Sequence, residues 1–107
     1  MKLKVILSPE SLDDLFEIYQ YVFFNDSKSA ALTLTDKLQS KCLELEQFAE
    51  RGHKIPELTN FNIDEILEVN LGHYRIIYRI VKKELHIQLI LDGRRDIQKI
   101  LQERLLR

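Results

Sequence analysis

Apolar positions in this chain change their period from two to helical and back again. Residues 2–7 alternate, with Leu3, Val5 and Leu7 on one side and Lys2, Lys4 and Ile6 on the other, which predicts a short strand with one buried face. Ser8-Pro9 then reads as a helix cap followed by proline at the first helical position, where its missing N–H costs nothing. Leu12, Leu15, Phe16, Tyr19, Val22 and Phe23 recur at steps of three and four, one apolar helical face with Asp13, Asp14 and Glu17 outside it. Asn25-Asp26-Ser27 breaks that helix and caps a second, in which Ala31, Leu34, Leu38, Cys42, Leu45 and Ala49 repeat the pattern. So short a break folds the two helices into a hairpin.

Residues 51–63 lack periodicity and read as the one long loop. The period then returns to two. Leu67, Val69 and Leu71 alternate with Ile66, Glu68 and Asn70. Tyr74, Ile76, Tyr78 and Ile80 alternate with Arg75, Ile77, Arg79 and Val81. Leu85, Ile87, Leu89 and Leu91 alternate with Glu84, His86, Gln88 and Ile90. Turns at Leu71-Gly72-His73 and Lys82-Lys83 make these strands an antiparallel meander. After Asp92-Gly93 a final helix places Ile97, Ile100, Leu101 and Leu105 on one face. The order is strand, helix, helix, three strands, short helix (βααβββα). It predicts an α+β fold: an antiparallel β-sheet of the N-terminal strand plus the three-strand meander, packed against an N-terminal α-helical hairpin, with a short C-terminal helix. The first strand must join the meander, because a lone strand leaves its backbone unsatisfied. No repeat and no low-complexity segment interrupts this order.

The length of 107 residues bounds the chain to a single domain, 1–107, and 45% hydrophobic with 31% charged residues excludes a disordered chain. A single cysteine, Cys42, permits no internal disulfide, and Cys/His zinc spacings are absent, so neither metal nor cofactor is expected and a reducing cytoplasm fits. No apolar run reaches the length of a membrane span, and the N-terminal apolar stretch is too short for a signal peptide, so the chain reads as mature and soluble. The net charge of −1 conceals an asymmetry: seven Lys/Arg against thirteen Asp/Glu in residues 1–71, then nine against four in residues 72–107. A basic end on an acidic body points to an anionic partner, or to basic strands lying beside acidic helices; charge alone does not choose.

Three stretches carry a resemblance to a known family. They are Pro56-Glu57-Leu58, then Leu67-Glu68-Val69-Asn70-Leu71-Gly72-His73-Tyr74-Arg75-Ile76-Ile77-Tyr78-Arg79-Ile80, then Leu91-Asp92-Gly93-Arg94-Arg95-Asp96. In this order and at these separations they resemble the RelE/ParE toxins of type II toxin–antitoxin systems, which share the fold that the periodicity predicts. The resemblance implies growth inhibition in a bacterial cytoplasm and neutralisation by a cognate antitoxin protein, in a toxin–antitoxin hetero-oligomer. It leaves two targets, because some members cleave messenger RNA on the ribosome and others poison DNA gyrase.

Cleavage of RNA through the 2′-hydroxyl needs a base for that proton, an acid for the leaving oxygen and cations around the phosphate. A regular hairpin sets Arg75 across from the end of the last strand, near Arg94 and Arg95, so the cations are available. The proton carriers are not. RNA-cleaving relatives of the RelE kind carry two lysines at the positions matching Ile66 and Glu68, and a tyrosine where Leu101 stands. Other RNA-cleaving relatives end in a histidine–tyrosine pair, and none follows residue 92. The favoured reading is therefore the ParE-like branch, a gyrase-binding inhibitor with Arg75, Arg79, Arg94 and Arg95 as target-binding residues. The alternatives are a ribosome-dependent mRNA endoribonuclease using Glu68, Arg75 and Arg95, and an inactive member that retains antitoxin binding.

Plainer roles stand beside these. Glu68 and Arg75 can be a cross-strand ion pair on a solvated sheet face, adding only about 0–1 kcal/mol. Tyr74 and Tyr78 read as core-edge aromatics, His53 as a loop residue, His86 as a surface strand residue, and Cys42 as packing. Gly93 reads as a turn residue, and Arg94-Arg95 as a solvated helix start whose charge opposes the helix dipole. In every reading the antitoxin lays an amphipathic helix on the apolar hairpin and acidic residues on the basic sheet edge, with a salt-sensitive association rate.

Overall fold

Strand β1 (Lys4–Leu7) gives way at Ser8 to helix α1 (Pro9–Asn25). The Ser8 hydroxyl accepts the Ser11 N–H at 3.1 Å, and proline occupies the first turn, as the sequence predicts. Asp26 closes α1, and the Ser27 hydroxyl, accepting from Ala30 N–H at 3.0 Å, opens helix α2 (Lys28–Phe48). The computed structural model describes residues 2–61, 63 and 65–105. Beyond a 3-10 turn over Ala49–Arg51, the stretch read as loop holds a two-residue strand β2 (His53–Lys54) and a second 3-10 turn over Pro56–Phe61; Asn62 within it lies outside the described residues. Strands β3 (Ile66–Leu71), β4 (Tyr74–Val81) and β5 (Glu84–Asp92) form the meander, and helix α3 (Ile97–Arg104) follows.

The sheet has five strands in the order β1-β5-β4-β3-β2. Its meander is antiparallel as expected, but β1 runs parallel to β5, so the sheet is mixed. Alternation reports which face is buried and is blind to strand direction. A parallel partner needs a long crossover, which the helical hairpin supplies.

Two cores form, one on each side of the sheet. On the first, Leu15 of α1 and Leu38, Cys42 and Leu45 of α2 pack on Val69, Ile76, Tyr78, Leu85, Ile87 and Ile90. On the second, Ile55 and Leu58 from the 3-10 segment and Ile97 and Leu101 from α3 cover Ile66, Ile77, Leu89 and Leu91. The expected faces of β5 are thereby corrected. The pairs Tyr78↔Ile87 and Ile77↔Leu89 leave Gln88 as a bulged residue, which reverses the alternation so that Ile90 joins Leu85 and Ile87 while Leu89 and Leu91 turn to the second core. Each of these fully buried aliphatic side chains stabilises the fold by about 1.5–3 kcal/mol.

The α1 face is also corrected. Leu15 is buried, but Leu12, Phe16 and Phe23 stand 50%, 60% and 39% exposed, with Phe24 at 77%. The packing side of α1 runs instead through Ser11, Leu15, Ile18 and Val22, leaving an apolar stripe uncovered. No helix among the described residues is long and apolar enough to cross a membrane.

The β4–β5 turn carries a local cost. Lys82 takes φ 59°, where an L side chain crowds its own backbone. Lys82→Gly is expected to raise stability by about 0.5–1 kcal/mol, seen as a later urea midpoint. A midpoint at or below that of the parent protein would show that this backbone angle costs nothing.

Candidate functional site

Arg75 and Glu68 share the second face of the sheet as diagonal neighbours, since Arg75 is registered with Asn70 and Glu68 with Ile77. The guanidinium grips both oxygens of Glu68, through Nε at 2.7 Å and Nη2 at 2.8 Å. It also grips both oxygens of Glu57 in the 3-10 segment, through Nη1 and Nη2 at 2.8 Å each. Glu68 is 2% exposed and Arg75 12%, so the pairing is an interior one and the expected solvated face is covered. What covers it is the Pro56–Phe61 turn that Glu57 anchors. Asn70 donates to Glu68 at 3.4 Å, and the His53 ring lies 3.1 Å from the Glu68 carbonyl oxygen across the β2–β3 pair. The Arg75 hydrogen bonds hold the Glu57 carboxyl below its usual range, and the two carboxylates hold the Arg75 guanidinium above its own. Among the described residues no cluster of three or more His, Cys, Asp or Glu is placed to hold a metal ion.

Arg75 is registered with Leu91 and so lies across from the end of β5, as the sequence predicts. Its stem packs against Gly93. A Cβ on Gly93 would stand 3.1 Å from Arg75 Cδ and 2.7 Å from the His73 carbonyl oxygen. Glycine is required there by close approach, with an ordinary negative-φ backbone rather than a left-handed one. The guanidinium itself does not join Arg94 and Arg95 around a common phosphate, because four of its five N–H donors already serve carboxylates.

Arg94 and Arg95 lie in the turn before α3, not at its start. Asp96 caps that helix, accepting from Lys99 N–H at 3.2 Å. Arg94 folds back on Asp92, with Nη2 at 2.7 Å from Oδ2 and Nε at 3.0 Å from Oδ1. These bonds hold the Asp92 carboxyl down to about 2, from an ordinary 3.8. A folded-state value below the unfolded one contributes stability at higher pH and loses it on acidification through the folded value. Asp92→Asn is therefore expected to flatten the fall in stability between about pH 4 and pH 2. Unfolding curves with identical slopes for both proteins in that window would contradict it. Arg95 is exposed, and its side chain makes no hydrogen bond or ion pair among the described residues.

Arg95 lines a cleft of about 440 Å³ between α1 and the end of β5, with Glu17 and Tyr21 on one wall and Tyr74, Leu91 and Asp92 on the other. The floor is tied by a pair that sequence reasoning missed. Asp14 accepts the Ile90 N–H at 3.1 Å, and Arg104 of α3 grips the Asp14 carboxylate at 3.0 and 3.1 Å while donating to the Gln88 carbonyl at 3.1 Å. This closes the β5 edge where β1 has ended. The only sequence signal was an acidic residue at the border of the apolar face of α1.

Arg79 shares the face of Arg75, separated from it by one same-face residue, Ile77. Tyr78 is fully buried; its hydroxyl donates to the Ala49 carbonyl at 2.6 Å, and burial pushes its pKa up to about 12. Cys42 is buried packing, its thiol also pushed up to about 12. His73 and His86 lie near opposite ends of β4, His73 3.6 Å from Asp92 and His86 3.1 Å from Glu84.

Residues 5–97 match the family of ParE toxins of type II toxin–antitoxin systems, parDE. Among solved structures, the chain is similar to the chromosomal ParDE toxin–antitoxin system from P. aeruginosa, with a TM-score of 0.70 and 19% identity over 83% of this chain and 94% of that one. A likeness at that identity speaks for the fold alone. A search of curated proteins finds no match.

Proposed function

The chain belongs to the ParE toxin family of type II toxin–antitoxin systems, and from that membership we propose that it arrests growth by binding DNA gyrase in the bacterial cytoplasm and is silenced by a cognate antitoxin. The observation that carries the reading is a division of labour among the arginines. Arg75 is spent on Glu57 and Glu68, whereas Arg95 stands without an ion pair among the described residues, at a cleft flanked by Tyr21 and Tyr74. An exposed cation beside tyrosines is the composition of a contact site for a protein partner. Arg94, pre-oriented by Asp92, extends the same surface, and Arg75 positions the segment behind it.

Messenger RNA cleavage asks for a base, and Glu68, 2% exposed and held through both oxygens by Arg75, is closed off from a substrate hydroxyl. Arginine holds its own proton too tightly to serve as the acid. For the antitoxin, the stripe of Leu12, Phe16 and Phe23 on α1 fits the apolar face of an amphipathic helix. The test is direct association. Immobilised gyrase is expected to bind the purified chain at micromolar concentration or below, with added antitoxin preventing it. Absence of binding by a folded chain that still arrests growth would remove gyrase as the target, and absence of growth arrest would mark an inactive member.

A further inference from the structure

At the far end of the second sheet face, one row crosses four strands: Ile66, Arg79, His86 and Ile6 are successive register partners in β3, β4, β5 and β1. Residues aligned in this way share a face. Along β4, Arg79 stands between buried Ile77 and Val81, which is 46% exposed. Its Nε is buried and has no hydrogen-bond partner, and the rest of its guanidinium makes no ion pair among the described residues. Among the described residues the nearest acid in register is Glu84, in the next row, and it faces His86 at 3.1 Å.

The other partly buried arginines behave differently. Arg75 holds Glu57 and Glu68, and Arg104 holds Asp14, each through paired N–H bonds to both carboxylate oxygens. A guanidinium keeps its charge at any ordinary pH, and a buried donor of this kind is stable only with an acceptor. Planar, two-oxygen anions are the acceptors that match its fork.

We propose that Arg79, with His86 beside it, is a carboxylate-binding site that takes an aspartate or glutamate from a partner polypeptide laid across this end of the sheet. The surroundings favour a protein carboxylate over a nucleic-acid phosphate. Ile6, partly exposed, and Val81, 46% exposed, offer hydrocarbon on its flanks, and Glu84 repels a chain of repeated negative charge. A peptide carrying one acid among apolar residues satisfies both conditions. The antitoxin is the natural source of such a segment. That attribution rests on the proposed function, while the site itself does not.

The side-chain Nε–H signal of Arg79 in a 15N-labelled sample reads the site without the antitoxin. Acetate and dimethyl phosphate carry the same single charge and stand for the two sources. At constant ionic strength, acetate is expected to shift the Arg79 signal and the His86 amide saturably, at least about tenfold more tightly than dimethyl phosphate. Arg79→Gln is expected to abolish the His86 response while the rest of the spectrum stays in place. No saturable shift, an undiminished His86 response in Arg79→Gln, or tighter binding of dimethyl phosphate would each overturn the assignment. None of these outcomes bears on whether the chain binds gyrase or an antitoxin.

Discussion

Replacing Arg75 by alanine is expected to destabilise the protein by about 3–5 kcal/mol. The reason is what the substitution leaves behind. Glu68 is 2% exposed and would lose both of its strong donors, so an uncompensated carboxylate would remain inside the fold. Domains of this size are stable by only about 5–15 kcal/mol, so the variant should melt far earlier or fail to accumulate. Arg75→Lys should recover only part of the loss, because an ammonium cannot bridge two carboxylates with paired bonds. Glu57→Gln should cost less, since Glu57 is 27% exposed and water can solvate its replacement. Acid should weaken the clamp as well. The Glu57 carboxyl sits below its unfolded value, so its contribution is present above that value and is lost as pH falls through the folded one; Glu57→Gln should lose that dependence. Urea unfolding of the three variants decides the matter, and an Arg75→Ala loss under about 1 kcal/mol would mean that the pair behaves like an exposed one. The result also governs how toxicity is interpreted, because a silent Arg75→Ala protein would report a lost fold before it reported a lost contact.

The second large effect falls on function. Arg94→Ala with Arg95→Ala is expected to weaken gyrase inhibition by about 100-fold or more while the chain stays folded, its stability lowered only by the loss of the Arg94–Asp92 bonds. Both residues are exposed, and neither touches a buried carboxylate. The two should not contribute equally. Arg94 is already neutralised by Asp92, and Arg95 has no ion pair among the described residues at the cleft, so Arg95→Ala alone should account for most of the loss. Dose–response curves for growth arrest and for supercoiling, measured beside melting curves, separate the two arginines. Full potency in the folded double variant would move the target surface elsewhere on the molecule.

The helices were legible because their caps and their spacing are local: Ser8, Pro9 and Ser27 act within one turn of chain. The second core was not, because Ile55 and Leu58 sit in a segment without period and are buried only once α3 closes over the same face. The bulge at Gln88 left one trace, the continuous apolar run Leu89-Ile90-Leu91, which suits a strand buried on both faces better than simple alternation does. At the site, Arg75 and Glu68 are close in sequence and were readable as a pair. Glu57 reaches the same guanidinium from 18 residues away, through a turn whose position no local pattern encodes. Burial of the pair, which ties up the Arg75 guanidinium inside the fold, follows from that turn. Asp14 and Arg104, 90 residues apart, were beyond any local reading.

The measurement that tests the central claim most directly is supercoiling of relaxed plasmid by purified gyrase, with linear DNA scored as trapped cleavage complex. Addition of the chain is predicted to stop supercoiling and accumulate linear DNA, and the Arg94→Ala, Arg95→Ala variant to do neither at the same concentration. Undiminished supercoiling with no linear DNA, in the presence of a folded chain that arrests growth in cells, would contradict the account and turn attention to the ribosome.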